Sequence, residues 1–284
     1  MAAAATVTIF TDPGCPFGFN AQRQDLQLRW AYGDGVDVRV RQIVLRTERG
    51  EFADLPFTAE MLVANGERMR DEYGMPMAVR EPTHLAATRS ACAAIVGARL
   101  SGGEAAADRL LRAIRVRVHS AGEAIDEPAT LRAAAADVGI AAEQLEAWLT
   151  DEAVAAALLE DMEASRAPVP EALALPHKLA RDGERGWRYT ASSTVVDAGE
   201  RRTAAPGFQP WAAYEVAFAG ALPELPRRAA PESAAELLSW APYPLATAEV
   251  AAVRDISIEA AREELEQAGA TLAPYANDGY WSLA

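Results

Sequence analysis

Apolar and polar positions alternate over Thr6-Val-Thr-Ile-Phe-Thr11, the two-residue period of a strand, and Asp12-Pro-Gly14 supplies the turn chemistry that ends it. The next apolar positions, Phe19, Leu26 and Trp30, fall on a helical spacing. Pro16 suits the first helical position, where its missing N–H costs nothing, and Gly33 marks the expected stop. Val36, Val38 and Val40 then alternate with Asp37, Arg39 and Arg41 and run on into Ile43 and Val44, a second strand. The chain therefore opens strand, helix, strand.

From Phe57 to about Arg166 the period is helical, with Ala-rich segments at Leu85 to Leu100, Ala105 to Val118, Pro128 to Val138 and Ala142 to Leu149. Pro168, Pro170 and Pro176 end that run. Trp187 to Asp197 reads as a strand, Ala198-Gly199-Glu200 as a hairpin turn, Arg201 to Ala205 as the return strand and Pro210 to Ala219 as a closing helix. After Leu222-Pro-Glu-Leu-Pro226 the pattern is helix (Thr247 to Arg254), helix (Ser257 to Ala268) and a hairpin turning at Asn277-Asp278-Gly279. That order is similar to a winged-helix unit.

Composition narrows the partners. The 284 residues carry 27 Lys and Arg against 41 Asp and Glu, a formal charge of −14, which opposes nucleic acid and anionic lipid. In the presumptive recognition helix, Ile256 to Ala268, Arg262 stands against Glu259, Glu263, Glu264 and Glu266. A DNA duplex would be repelled, since phosphate neutralisation supplies nearly all non-specific affinity. An accessory or self-associating role, with a homodimer as its simplest form, is expected for that unit. No apolar run approaches the roughly 18 residues of a membrane span. The start of the chain shows neither the basic region nor the cleavage site of a signal peptide, so the expected location is the cytoplasm. In a reducing compartment the two cysteines, Cys15 and Cys92, are expected to be free thiols.

Asp12-Pro13-Gly14-Cys15-Pro16-Phe17-Gly18, following a first strand, resembles the active-site turn of the DsbA-like thioredoxin family, which includes FrnE-like proteins and 2-hydroxychromene-2-carboxylate isomerases. The architecture of residues 6–220 fits the same family. The resemblance implies an α/β class, a thioredoxin fold over residues 1–225 with an α-helical insertion at about 57–180. A small winged-helix-like α+β unit would follow at 226–284. It also implies an oxidoreductase or isomerase activity on a small molecule or thiol, with a low-molecular-weight thiol such as glutathione or mycothiol as cofactor.

Two departures from the family pattern redirect the chemistry. The second cysteine, three positions after the first, is replaced by Gly18, so a mixed disulfide at Cys15 has no internal thiol there to resolve it. Ser192-Ser193-Thr194 aligns with the family's Val-Pro-Thr loop. A non-proline cis bond costs about 2.5 to 4 kcal/mol, so Ser193 is expected trans and the loop reshaped. The expected catalytic residues are Cys15, Ser193 and His177; Asp12, Pro16, Phe17, Gly18, Ser192 and Thr194 are the expected substrate- or thiol-binding residues. Three functions stay open: a monothiol oxidoreductase in which Cys15 attacks a disulfide or small electrophile, a thiol-cofactor-dependent isomerase, and a silent binding or scaffold protein.

Cys15 at a helix start is expected to be partly thiolate at neutral pH, and Gly18→Cys to restore a disulfide at little cost if the space there is free. Cys92, on an apolar helix, reads as a small core residue. His84, His119 and His177 show no metal-ligand spacing, and no metal is expected. Met61, Met69, Met75 and Met77 read as core or as an adaptable apolar lining.

Overall fold

β1 (Ala5–Thr11) turns Val7 and Ile9 to one face of a sheet and Phe10 to the other, as its alternation requires. A computed structural model of the chain describes residues 3–52 and 58–283; Phe57, the expected start of the helical block, lies outside them. The expected first helix is two: α1 (Pro16–Asn20) and α2 (Gln22–Tyr32), parted at Ala21. β2 (Val36–Gln42) follows. α3 (Ala59–Tyr73) begins at Thr58, whose hydroxyl accepts the Met61 N–H, and ends on Gly74 in the left-handed region.

The two segments expected at 85–100 and 105–118 form one kinked helix, α4 (Arg89–Arg115), broken at Gly102 and at Gly103, whose φ of +73° suits only glycine well. It starts at Arg89 rather than Leu85 because the backbone of Leu85 bridges to Gly50. A π turn at Val116–Ser120 follows. Next come α5 (Pro128–Asp137), α6 (Ala142–Thr150), α7 (Glu152–Ser165) and the single turn α8 (Pro170–Leu173).

The strand expected over 187–197 divides. β3 (Ala180–Arg181) and β4 (Trp187–Arg188) make a small ladder, and β5 (Ser193–Asp197) joins the main sheet. β6 (Arg202–Ala205) and α9 (Trp211–Ala221) complete the first unit. The main sheet has the order β2-β1-β5-β6, with β2 parallel to β1, β5 antiparallel to β1 and β6 antiparallel to β5. α2 and α9 cover one face through Leu28, Phe218 and Ala221 against Val7, Ile9 and Val196. Val40 and Val44 pack into the separate core of α4 to α7. This is the thioredoxin fold with its helical insertion.

The C-terminal unit consists of α10 (Ala234–Trp240), β7 (Leu245–Ala246), α11 (Thr247–Arg254), α12 (Ile258–Gln267), β8 (Thr271–Tyr275) and β9 (Asp278–Ser282), with strand order β7-β9-β8. It contains the two helices and hairpin expected, preceded by a helix and a short strand that the pattern did not reveal. Leu26 and Trp30 of α2 share a core with Leu237, Leu245, Val250 and Leu265. Phe19 of α1 packs with Met69, Met75, Met77 and Tyr280, so three of the four methionines of the group are core and Met61 is exposed. Arg262 pairs with Asp278, which leaves its charge neutralised on the acidic face of α12. Among the described residues no helix is long and apolar enough to cross a membrane.

Candidate functional site

The end of β1 delivers the site. Asp12 is fully buried and organises the turn: Oδ1 accepts the Gly14 N–H at 2.8 Å, and Oδ2 accepts the Leu45 N–H at 2.8 Å, the Thr88 hydroxyl at 2.7 Å and the Cys92 thiol at 3.6 Å. These bonds hold Val44 at a φ of +56°, a region that β-branched residues rarely adopt. Asp12, expected among the substrate-binding residues, uses its carboxylate here to organise the turn. Cys92 is the buried core thiol expected, and burial with the Asp12 charge pushes it well up from its ordinary value.

Cys15 caps α1 with extended backbone, so Pro16 sits at the first helical position as read from the sequence. Its partner arrives from far along the chain. Phe10 pairs with Ser193 in the sheet, which sets the bend before β5 against the β1 turn, and the Cys15 thiol donates to the Ala191 carbonyl at 3.6 Å. The peptide bond between Ala191 and Ser192 is cis. The Ser192–Ser193 bond is trans, as expected.

Cys15 is 8 % exposed and packs with Phe10, Ile43, Leu179, Tyr189 and Val195. Burial pushes its thiol above the ordinary value; the Gly18 amide opposes this, the Asp12 charge adds to it, and the Phe17 amide and Arg115 oppose it. The expected neutral-pH thiolate is overturned, because desolvation of the sulfur outweighs the helix start. The upward direction and the 3.6 Å approach to Ala191 O both favour the thiol form, which can donate to that carbonyl.

Gly18 is buried, and a Cβ there would lie 2.8 Å from Thr11 Oγ1 and 3.1 Å from Arg115 Nη2. The space a second cysteine would use is filled. The condition on which Gly18→Cys was expected to be tolerated is not met.

The other expected residues divide. The Ser193 hydroxyl donates to Thr190 O at 2.6 Å and accepts the Gly207 N–H at 2.8 Å, which fixes the bend and leaves it no free donor for a ligand. Ser192 is fully buried with an unpartnered hydroxyl among the described residues, and so is Thr194, at 1 % exposure on β5. Pro16 and Phe17 are half-buried, Phe17 lying 5.8 Å from Phe208 between ring centroids. His177 is exposed on a short turn and makes no hydrogen bond with the site among the described residues.

The histidine that does reach the turn is His119. It is buried, stacks on Phe19 at 4.8 Å and donates from Nε2 to Pro13 O at 2.9 Å. Burial lowers its pKa to about 4, so it is neutral at pH 7. Its π-turn neighbour Ser120 shares a 2.7 Å hydrogen bond with Tyr280, tying the C-terminal unit to the same corner. Sequence reading missed His119 because its placement depends on how the end of α4 packs back against the turn after β1. A cleft of about 750 Å³ opens on the Thr6 and Thr8 face of the sheet; Cys15 does not line it.

Residues 6–167 match the model of the DSBA-like thioredoxin domain family. No curated protein matches the chain. A probable DsbA oxidoreductase from Streptomyces coelicolor is similar in structure, with TM-score 0.57 and 18 % identity over 81 % of this chain and 96 % of the other. So is the cytosolic disulfide reductase DsbM from Pseudomonas aeruginosa, with TM-score 0.54 and 18 % identity over 74 % of this chain and 97 % of that one. The same reductase solved with GSH gives TM-score 0.52 and 17 % identity over 74 % and 97 %.

Proposed function

The chain belongs to the DSBA-like thioredoxin domain family, and from that premise we propose that it is a single-thiol member whose Cys15 site receives a low-molecular-weight thiol, glutathione or mycothiol, as a cofactor. One observation carries the reading: the second-cysteine position is occupied by the Thr11–Arg115 pair while Cys15 is a buried, protonated donor. A site of that kind cannot pass a disulfide between two of its own sulfurs. It can turn the Cys15 S–H from the Ala191 carbonyl to an incoming thiolate, with the unpartnered Ser192 hydroxyl as a second donor. The cofactor thiolate would then be the nucleophile, as in an isomerase that adds and releases a thiol. The cytosolic reductase of this fold solved with GSH supports the choice of ligand class. A cytoplasmic setting suits two free cysteines. The paired Arg262 on an acidic helix argues for no nucleic-acid partner.

A monothiol oxidoreductase is the second reading. The Phe17 and Gly18 amides both favour a thiolate at Cys15 and would receive one if the site opened. Cys15 would then attack a disulfide, forming one mixed disulfide and releasing one thiolate, and an external thiol would reverse it.

Titration calorimetry with reduced glutathione and with mycothiol tests the first reading. Reversible binding of one of them is expected, retained by Cys15→Ser and weakened roughly tenfold by Cys15→Ala, the effect of losing one donor. A stable Cys15 adduct with oxidised glutathione, seen by intact mass, would move the assignment to the second reading. Neither binding nor adduct would sink both.

A further inference from the structure

We infer that Arg115 is the positioning residue of the Cys15 site, a fixed cation standing where a second thiol would otherwise be. After the Gly102 and Gly103 kink, the second half of α4 carries Leu110, Leu111 and Ile114 into the core and brings Arg115 in beside them at 2 % exposure. Nη2 donates to Thr11 Oγ1 at 2.6 Å, and the same atom would lie 3.1 Å from a Cβ at position 18. Gly18 and Arg115 therefore fit each other: any side chain at 18 competes with the guanidinium for one space.

Nε of Arg115 has no hydrogen-bond partner among the described residues, an unusual state for a buried guanidinium, which carries five donors. Beside it a cavity of about 10 Å³ is lined by Thr11, Gln22, Asp25, Arg29 and Asp108 among others. Asp25 faces Arg115 and Arg29 there, and its buried Oδ1 is also unpartnered. The charged groups facing Cys15 are Asp12 on its own turn, Arg115 from α4 and Arg188 from β4. His119, which touches the turn, is neutral. Arg115 acts on Cys15 with the sign opposite to Asp12 and more weakly than it, from a guanidinium that the geometry places against position 18, three residues along the helix that Cys15 caps. The role is electrostatic and steric; Arg115 need not touch a ligand.

The inference deepens the proposed thiol site, and the two can fail separately, because the tests here use no thiol ligand. The first reads iodoacetamide alkylation of Cys15 at pH 8, resolved from Cys92 by peptide mass. Arg115→Met is expected to slow it roughly three- to tenfold through loss of the charge, and Arg115→Lys to hold it within about twofold. A folded Arg115→Met protein that alkylates at the wild-type rate or faster overturns the electrostatic role. The second is a double-mutant cycle on melting temperature that survives if Arg115→Met does not fold. Gly18→Ala is expected to lower Tm by several degrees in the wild-type chain and by measurably less with Arg115→Lys, whose ammonium vacates the Nη2 position and frees Thr11 Oγ1, the nearer atom, to turn away. Equal losses in the two backgrounds overturn the steric half.

Discussion

Arg112→Ala is expected to lower stability by about 3 to 5 kcal/mol, the scale for leaving one member of a buried ion pair without its partner. Arg112 is 6 % exposed and Glu249 fully buried, joined by two bonds of 2.6 and 2.7 Å. The guanidinium also donates to Pro244 O at 3.0 Å and lies 4.8 Å from the Tyr243 ring and 4.7 Å from the Tyr280 ring. Burial opposes its charge, and Glu249 more than offsets that, so the net direction is toward holding the proton. Glu249 in turn accepts the Ala246 N–H at 2.8 Å. Without Arg112 the carboxylate would stand in the joint between the helical insertion and the C-terminal unit with no cation. Urea melts and limited proteolysis check this. The variant should melt earlier and be cut sooner in the 226–233 segment, while Arg112→Met with Glu249→Met should lose less than Arg112→Ala alone. A loss below about 1 kcal/mol for Arg112→Ala would show that the pair is not desolvated as described.

Gly18→Cys carries the second large effect. The new Cβ meets Thr11 Oγ1 at 2.8 Å and Arg115 Nη2 at 3.1 Å, and the buried 2.6 Å bond that joins those two atoms has to shift to make room. Overpacking of this kind costs about 1 to 3 kcal/mol. With the space at position 18 taken by Arg115, no disulfide with Cys15 is expected in the folded protein. Mild oxidation followed by thiol counting and thermal melting gives the answer. Two free thiols in the turn and a lowered Tm are expected; a disulfide between Cys15 and the introduced thiol, with an unchanged Tm, would mean that the space is open.

The parts of this protein legible in its sequence are those set by local periodicity and turn chemistry. The alternation of Thr6 to Thr11, the Pro16 helix start, the Val36 strand and the Thr247 and Ile258 helices all fall within a few residues of their expected bounds. What local pattern could not carry is what long-range packing decides. Arg115 lies 97 positions beyond Gly18, and nothing in its neighbours marks it as the group that would fill that space. The thiolate expectation for Cys15 used the helix start, which is local, and omitted desolvation by Leu179, Tyr189 and Val195, which is not. The strand expected over 187–197 has the right residues but spans a cis bend, and the two ladders it serves are specified by partners elsewhere. Likewise the break after Pro226 is visible, whereas the docking of the last unit onto Leu26 and Trp30 is not, because a helix's apolar face does not name its partner.

The central claim is that Cys15 is a protonated donor in a closed site and not a nucleophile poised by its helix. The most direct measurement is the pH dependence of Cys15 alkylation in the folded protein, with peptide mass separating it from Cys92. A thiol whose folded pKa lies above its unfolded value stabilises the fold at low pH, and that contribution is lost as pH rises through the folded value. The account therefore predicts slow alkylation at pH 7 and a midpoint above that of the same thiol in the urea-unfolded chain. A midpoint below the unfolded value, with fast reaction at neutral pH, would contradict it.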